Sequence, residues 1–515
     1  MSTFPDTGTL LHSGGDARIV PDPQTGRNKY GCSSSPSSDL HAFGSSTAST
    51  ISSAGMAAAM ALRQRCAEQI AISDEPTVYQ REVKRLRTEL LSLCGVSDYP
   101  GVEMLIAASG TDIHLLLAQA VQPELTVMID LAETGSGLAA ALQGQHFSAD
   151  ASCAAGMASD RAVSAWQGRL QTVAARDAAG NPRTVAEVDA ELEQILSSAV
   201  AAGQRVLLIL TDVCKTGMIF PAIASVRRFQ QTWPQHIQVL VDACQFRLSR
   251  ASLRAYLELD FCVALTGSKF LAGPTFSGAL LIPPGQAASF RALPPGARAY
   301  SWAADWPANW PAASSLAQGS NFGLLLRWEA ALAELRRFAA LDDAAVIPFL
   351  RRFQAAVSNR LAQDPHFEAL ANPNLDRQAL ATARSWDQEP SIFPFVLYAV
   401  ANDGQRRPLA RHETAILYRR LQGIEGMEGI AEHTSAADCY TLGQPVLCGQ
   451  RVGVPVSALR LCVSAAMLVA AQDPLPAEAL IAAALAALDR LVSLIDASSH
   501  SGRGADQTAA VSHAA

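Results

Sequence analysis

The sequence predicts an α/β fold: a large domain built on a mostly parallel, doubly wound sheet, followed by a smaller α+β C-terminal domain. Two patterns carry this expectation. Between about residues 100 and 340, the short apolar runs "VEMLIAAS", "ELTVMIDLA", "RVLLILTDV", "IQVLVDAC", "DFCVALTG" and "GALLIP" alternate with helical segments, the signature of successive strand-helix units. From "FGLLLRWEAALAELRRFAAL" onward a long helix leads into a stretch with strands near "IFPFVLYAV" and "ALRLCVS" and a last helix at "AEALIAAALAALDRLVSLI". A chain of 515 residues, 49% hydrophobic and 17% charged, has the material for two or three such domains.

In chain order, residues 1–50 are rich in Gly, Pro, Ser and Asp and are expected to form an irregular arm, its first part disordered. The large domain is expected over 51–340. It begins with helical spacing in "SAGMAAAMALRQRCAEQIAI", then an amphipathic helix, "YQREVKRLRTELLSLCG", that ends at Gly95. Its charge run reads as a solvated face. The segment "SWAADWPANWPAASSLAQGSN", with Trp302, Trp306 and Trp310, interrupts the strand-helix alternation as a loop that packs at an interface or lines a pocket. The small domain spans 341–497, and 498–515 is expected to be a disordered tail. No internal repeat is present.

Several function classes are excluded. The net charge of −7 is scattered in sign, without the basic footprint that nucleic acid or an anionic membrane requires. The uncharged residues 42–62 are long enough to span a bilayer, yet their Ser, Thr, Gly and Ala content is too polar for lipid. The ten cysteines form no C-x-x-C pair and several lie inside apolar runs, which points to buried thiols in a reducing compartment and to neither a disulfide framework nor a metal site. "MSTFPDTGTLLHSGGDARIV" lacks the basic and apolar regions of a signal peptide, so a cytoplasmic protein is expected.

The chemistry concentrates around "LTGSKFLAGPTFSGALLIP". Lys269 stands between an apolar strand and a Gly-Pro turn, and lysine is rarely buried without a partner. It is either a stray surface charge or a covalent reagent. Upstream, "IQVLVDACQ" ends a strand at Asp242, one helix and one strand before Lys269; an acid and a lysine at successive strand ends face one crevice. In "AASGTDIHLL" a strand passes through Ser109-Gly110-Thr111 into a helix, whose free N–H groups and dipole suit a phosphate, although Thr111 and Asp112 are also good N-terminal helix residues that need no ligand. Together these are parts of one cofactor site.

On these residues, and most specifically on "DFCVALTGSKFLAGPTFSGALL", the chain from about 60 to 495 resembles the fold type I pyridoxal phosphate enzymes, in particular the class V aminotransferase and cysteine desulfurase family. The resemblance implies pyridoxal 5′-phosphate (PLP) in Schiff-base linkage to Lys269, whose amine then shuttles protons. It implies that Asp242 pairs with the pyridine N–H, that Gln245 hydrogen-bonds the ring hydroxyl, and that Thr266, Gly110 and Thr111 hold the phosphate. It implies that Arg460, in "ALRLCVS", clamps the substrate carboxylate with its bidentate fork.

Three positions depart from the family pattern. Ser268 stands where a histidine usually precedes the lysine, Thr134 where an imidazole usually stacks on the ring, and Cys214 where an asparagine usually touches the ring hydroxyl. Asp112 beside the expected phosphate is unfavourable unless it points away. The resemblance implies amino-group transfer or Cα/Cβ cleavage on an amino acid. A lyase or a desulfurase using Cys439 or Cys448 is the alternative, and a non-catalytic binding protein retaining the fold is another. It also implies a homodimer in which the loop around Gly319, Ser320 and Asn321 reaches the neighbouring subunit's cofactor; three exposed tryptophans on a monomer would be a costly apolar patch.

Overall fold

The computed structural model describes residues 4–37, 40–154, 156–157, 161–423 and 439–511, with side chains through residue 498. Its larger sheet has eight strands. From one edge the order is Glu103–Ala107, Gly278–Ile282, Cys262–Thr266, Ile237–Ala243, Val206–Asp212, Leu125–Ile129 and Arg169–Val173, with the short Ile219–Phe220 paired to Val206–Asp212. All the apolar runs read from the sequence are strands here. Gly278–Ile282 runs antiparallel to both its neighbours and Ile219–Phe220 antiparallel to its partner, while the remaining pairings are parallel. The central strands are buried throughout, as expected for parallel strands covered by helices on both faces. The edge strand Arg169–Val173 has no apolar run to announce it and is largely exposed.

The helices carry local signals that agree with their positions. Val185–Ala201 opens on a capping box in which Thr184 and Glu187 satisfy each other's backbone N–H groups. Gly110–Val121 opens on Ser109, whose hydroxyl accepts from the Asp112 N–H at 3.2 Å, and its residues from Thr111 to Val121 are all buried.

The second sheet has six strands in the order Leu40–Phe43, Cys439–Arg451, Val454–Cys462, Ile392–Val400 and Phe367–Ala369, with Arg406–Pro408 paired to Ile392–Val400. Its first strand belongs to the N-terminal arm, which corrects the expectation of an irregular segment. The arm also forms the helix Thr7–Leu11, with Leu10 and Leu11 buried. Buried Arg327 ties it down by donating to the carbonyls of Leu11 (3.2 Å), Gly14 (2.9 Å), Ser13 (2.5 Å) and, on the sheet side, Phe276 (2.6 Å). Gly323 permits this approach, since a Cβ there would lie 2.3 Å from the Ser13 carbonyl. Low apolar content does not prevent order when buried donors supply the backbone with partners.

Two further expectations change. The last helix, Pro474–Val511, extends into the segment expected to be a disordered tail, and residues 512–515 lie outside the described residues. The aromatic loop packs on its own chain: Trp306 is buried, its indole N–H donates to Ser301 Oγ at 3.0 Å, and its ring sits among Phe290 and Trp310. Trp302 and Trp310 beside it are half-buried. Among the described residues no helix is long and apolar enough to cross a membrane.

Candidate active site

A cavity of about 800 Å³, its open mouth included, lies at the ends of the large-sheet strands. Gly110, Thr111, Asp242, Thr266, Ser268 and Lys269 all line it, so the lysine, the acid and the helix N-terminus read from the sequence do share one crevice. They meet because Glu103–Ala107, Ile237–Ala243 and Cys262–Thr266 point the same way, and strand ends in an open α/β sheet form such crevices. Gly110 keeps the floor bare: a Cβ there would lie 2.9 Å from Cys244 Sγ and 3.2 Å from Thr266 Cγ2.

Asp242 is nearly buried, with Oδ1 accepting from the Cys244 N–H at 3.1 Å. Behind it stands His114, on the Gly110–Val121 helix. Its Nδ1 donates to the Gly110 carbonyl at 2.7 Å, so Nε2 faces Asp242 Oδ2 at 3.6 Å with no hydrogen-bond partner of its own. Thr266 Oγ1 donates to the Cys244 carbonyl at 2.6 Å, which leaves its oxygen as an acceptor towards the cavity. The Lys269 carbonyl is held by Ser49 Oγ at 2.8 Å, a contact from the arm.

The other expected residues stand back from the wall. Thr134 is buried, with Oγ1 directed to the Leu131 carbonyl at 3.3 Å, and Gly135 and Ser136 line the cavity beside it. Cys214 is buried with Sγ 3.6 Å from Thr216 Oγ1, and burial pushes its thiol pKa up; the next residue, Lys215, reaches the wall. Gln245 donates from Nε2 to the Ser46 carbonyl at 2.9 Å, and its buried Oε1 has no partner. Arg460 is fully buried, donating to Ser46 Oγ (3.1 Å), Thr47 Oγ1 (2.9 Å) and the Gln444 carbonyl. Gly443 sits opposite it in strand register, and a Cβ there would come within 2.7 Å of Arg460 Nε. Ser46, Thr47 and Gln444 form the skin between Arg460 and the cavity.

Asn321 caps the helix Phe322–Ala339, accepting from the Leu324 N–H at 2.9 Å, and donates to the Gly14 carbonyl at 2.9 Å in its own chain. Ser320 Oγ lies 3.4 Å from Glu75. Asp112 is not on the cavity wall. It is buried, hydrogen-bonded to the Ser109 hydroxyl, and burial together with nearby Asp16 raises its pKa to about 7.

Sequence reasoning missed the arm's contribution and two side chains. Arg18, Tyr30, Ser46 and Thr47 line the cavity; Arg18 is paired with Asp16 at 2.6 Å and its guanidinium lies 4.6 Å from the Phe276 ring centre. Nothing local marks these residues. His114 had a signal, a lone imidazole in the otherwise apolar "IHLLLAQAV". Lys215 had one too, a charge inside the "DVCKTG" turn between two strands. Burial, reinforced by the charges of Arg460 and Lys269, lowers the Lys215 pKa to about 8.

No family model matches the chain, and no curated protein matches it. Solved structures do. One is the cystine C-S lyase C-DES with its product cysteine persulfide, 18% identical with a TM-score of 0.53 over 87% of this chain and 97% of that one. Another is the cysteine desulfurase CsdA of Escherichia coli, 15% identical with a TM-score of 0.51 over 87% and 94%. A third is Oryza sativa TDC with PLP, 12% identical with a TM-score of 0.50 over 89% and 83%. The fold is that of the fold type I pyridoxal phosphate enzymes, as the sequence led us to expect.

Proposed function

We propose that this chain is a PLP-dependent enzyme acting on the amino group or the Cα/Cβ bonds of an amino acid, with amino-group transfer as the first reading. One observation carries it: Lys269 and Asp242 open onto a single cavity whose floor is the bare N-terminus of the Gly110–Val121 helix. The residues present suit the cofactor. Gly110 has no room for a side chain, and among the described residues the buried Gln245 Oε1 has no hydrogen-bond partner.

The amine of Lys269 would hold the cofactor aldehyde, Asp242 its pyridine nitrogen, and the helix N-terminus at Gly110 and Thr111 its phosphate. Bound there, the ring supplies an electron sink for the bonds at the substrate Cα. Lys269, on the turn after Cys262–Thr266, is the group positioned to take and return the Cα proton. Asp242 would stand against the pyridine nitrogen of the bound ring, with His114 Nε2 packed 3.6 Å from its Oδ2. Arg460 does not reach the cavity, so its part in holding a substrate carboxylate would be to fix the Ser46 and Thr47 hydroxyls that do. Asp112 is not on the cavity wall, and burial raises its pKa to about 7, which reduces the negative charge beside a phosphate.

A second reading, C–S bond cleavage, is favoured by the names of two structural neighbours, a cystine C-S lyase and a cysteine desulfurase. Cys244 lines the cavity, but burial and Asp242 push its thiol pKa well up, so it stays protonated and is a poor nucleophile. Cys439 begins the strand that follows residues 424–438, which lie outside the described residues. Ser320 and Asn321 enter the proposal as contacts in a cytoplasmic homodimer, tested by sedimentation and by mixing inactive subunits.

Borohydride reduction of the protein purified with PLP, followed by peptide mapping, should find the pyridoxyl group on Lys269. Lys269→Ala should lose both the label and the visible absorption band. A label on another lysine, with Lys269→Ala still turning over, would refute the assignment.

A further inference from the structure

The cavity holds a second lysine with no carboxylate partner at ion-pairing distance among the described residues. Lys215 lies in the turn between Val206–Asp212 and Ile219–Phe220, its N–H donating to the Glu133 carbonyl at 3.1 Å. The Glu133 carboxylate is itself engaged: it accepts from Thr216 N at 3.0 Å and Thr216 Oγ1 at 2.7 Å, and Arg176 lies 3.5 Å away. Among the described residues no carboxylate stands within ion-pairing distance of the Lys215 ammonium, which lines the cavity with Lys269, Thr47 and Gln444. Its depressed pKa agrees with that geometry: burial, Arg460 and Lys269 disfavour its charge by more than the more distant Glu133 restores.

The other charges on the wall have assigned tasks. Arg18 is paired with Asp16, Lys269 and Asp242 belong to the cofactor, and Arg460 stands behind the polar layer for one carboxylate. Resting on the PLP reading above, we propose that Lys215 binds a second anionic group of the substrate, so that the preferred amino acid carries a negatively charged side chain. Arg460 and Lys215 then divide two anions between them: the α-carboxylate lies against Ser46 and Thr47, which the buried guanidinium holds, and the ammonium, a point charge on a flexible stem, takes the distal group.

The test uses the protein as purified with PLP and non-reacting probes: the α,ω-dicarboxylates malonate, succinate and glutarate against monocarboxylates of matched chain length, titrated calorimetrically. The wild type should bind its best dicarboxylate on the order of 10-fold or more tighter than the matched monocarboxylate, the yield of one charge-assisted contact. Lys215→Met should abolish that preference by weakening the dicarboxylate alone, and Lys215→Arg should retain it. Lys215→Gln repeats the neutral substitution should the methionine variant fold poorly, with the unfolding temperature as control. A wild type without the preference, or a preference that survives both neutral substitutions, overturns the proposal. So does a Lys215→Met variant that loses turnover while binding dicarboxylates normally, since that marks a proton-transfer group. The titration reads the anion preference whether or not the protein takes up PLP, so a colourless protein would count against the cofactor and not against Lys215.

Discussion

Two arginines are buried to the same degree and treated oppositely. Arg377 sits between the two sheets against Asp212, with Nε 3.0 Å from Oδ2, while Tyr256 donates to the same carboxylate at 2.7 Å and Asp387 stands nearby. Arg460 meets only hydroxyls and a carbonyl. Burial is the largest influence on both and acts to lower the pKa. At Arg377 Asp212 and Asp387 more than offset it, whereas at Arg460 the pKa stays lowered. The two clusters differ in whether a carboxylate faces the buried guanidinium, not in the depth of burial.

Separating the two clusters by mutation is the strongest way to break this contrast. Arg377→Met leaves Asp212 buried and unpaired and should cost about 3–5 kcal/mol, read as a large fall in unfolding midpoint. The double variant Arg377→Met with Asp212→Asn should regain part of it. If the single variant melts like the wild type, Arg377 is not structural.

A third buried charge offers a pH test. Asp112 has its pKa raised from 3.8 to about 7. The protonated form is therefore the one the fold prefers: stability from this group is full below about pH 4, declines as the unfolded chain ionises first, and is lost once pH passes 7. Asp112→Asn should stabilise the protein by up to about 4 kcal/mol at pH 8 and by almost nothing at pH 4. Denaturant curves at the two pH values decide it, and an equal effect at both would mean that Asp112 is paired more fully than its surroundings indicate.

Arg460→Met removes a charge that has no counter-ion among the described residues, so the unfolding midpoint should hold or rise while substrate KM increases ~10-fold as Ser46 and Thr47 lose the donors that orient them. A loss of stability matching that of Arg377→Met would erase the distinction between the two arginines. The smallest expected effect is at Asn321. Asn321→Ala removes a helix cap and the tie to Gly14, for about 1 kcal/mol, and limited proteolysis should cut the arm before residue 14 faster. An unchanged digestion pattern would show that the arm is held without Asn321, by contacts such as those of Arg327 and Arg63.

The fold class and the centre of the site could be read locally. Apolar runs of strand length separated by helical periods specify an α/β sheet wherever they occur, because each run must bury both faces. The Lys269 turn and the Asp242 strand end were legible because successive parallel strands deliver their ends to one side. The antiparallel direction of Gly278–Ile282 was not legible, since period and composition are blind to direction. Nor were the edge strand Arg169–Val173 and the long strand Cys439–Arg451, whose polar residues and glycines hide the alternation.

What the sequence determined by itself, then, is the layered α/β architecture, the lysine and acid at its strand ends, and the helix N-terminus beneath them, all products of short-range pattern. Tertiary structure alone decided that an apparently irregular arm carries Arg18, Ser46 and Thr47 to the cavity, that Arg460 lies behind a polar layer, and that Lys215 faces the cavity. Ser46 and Arg460 are 414 residues apart. A charge's partner is set by distance in space and not by separation along the chain, so whether a buried cation is satisfied or waiting for a ligand appears only after both sheets have closed on it.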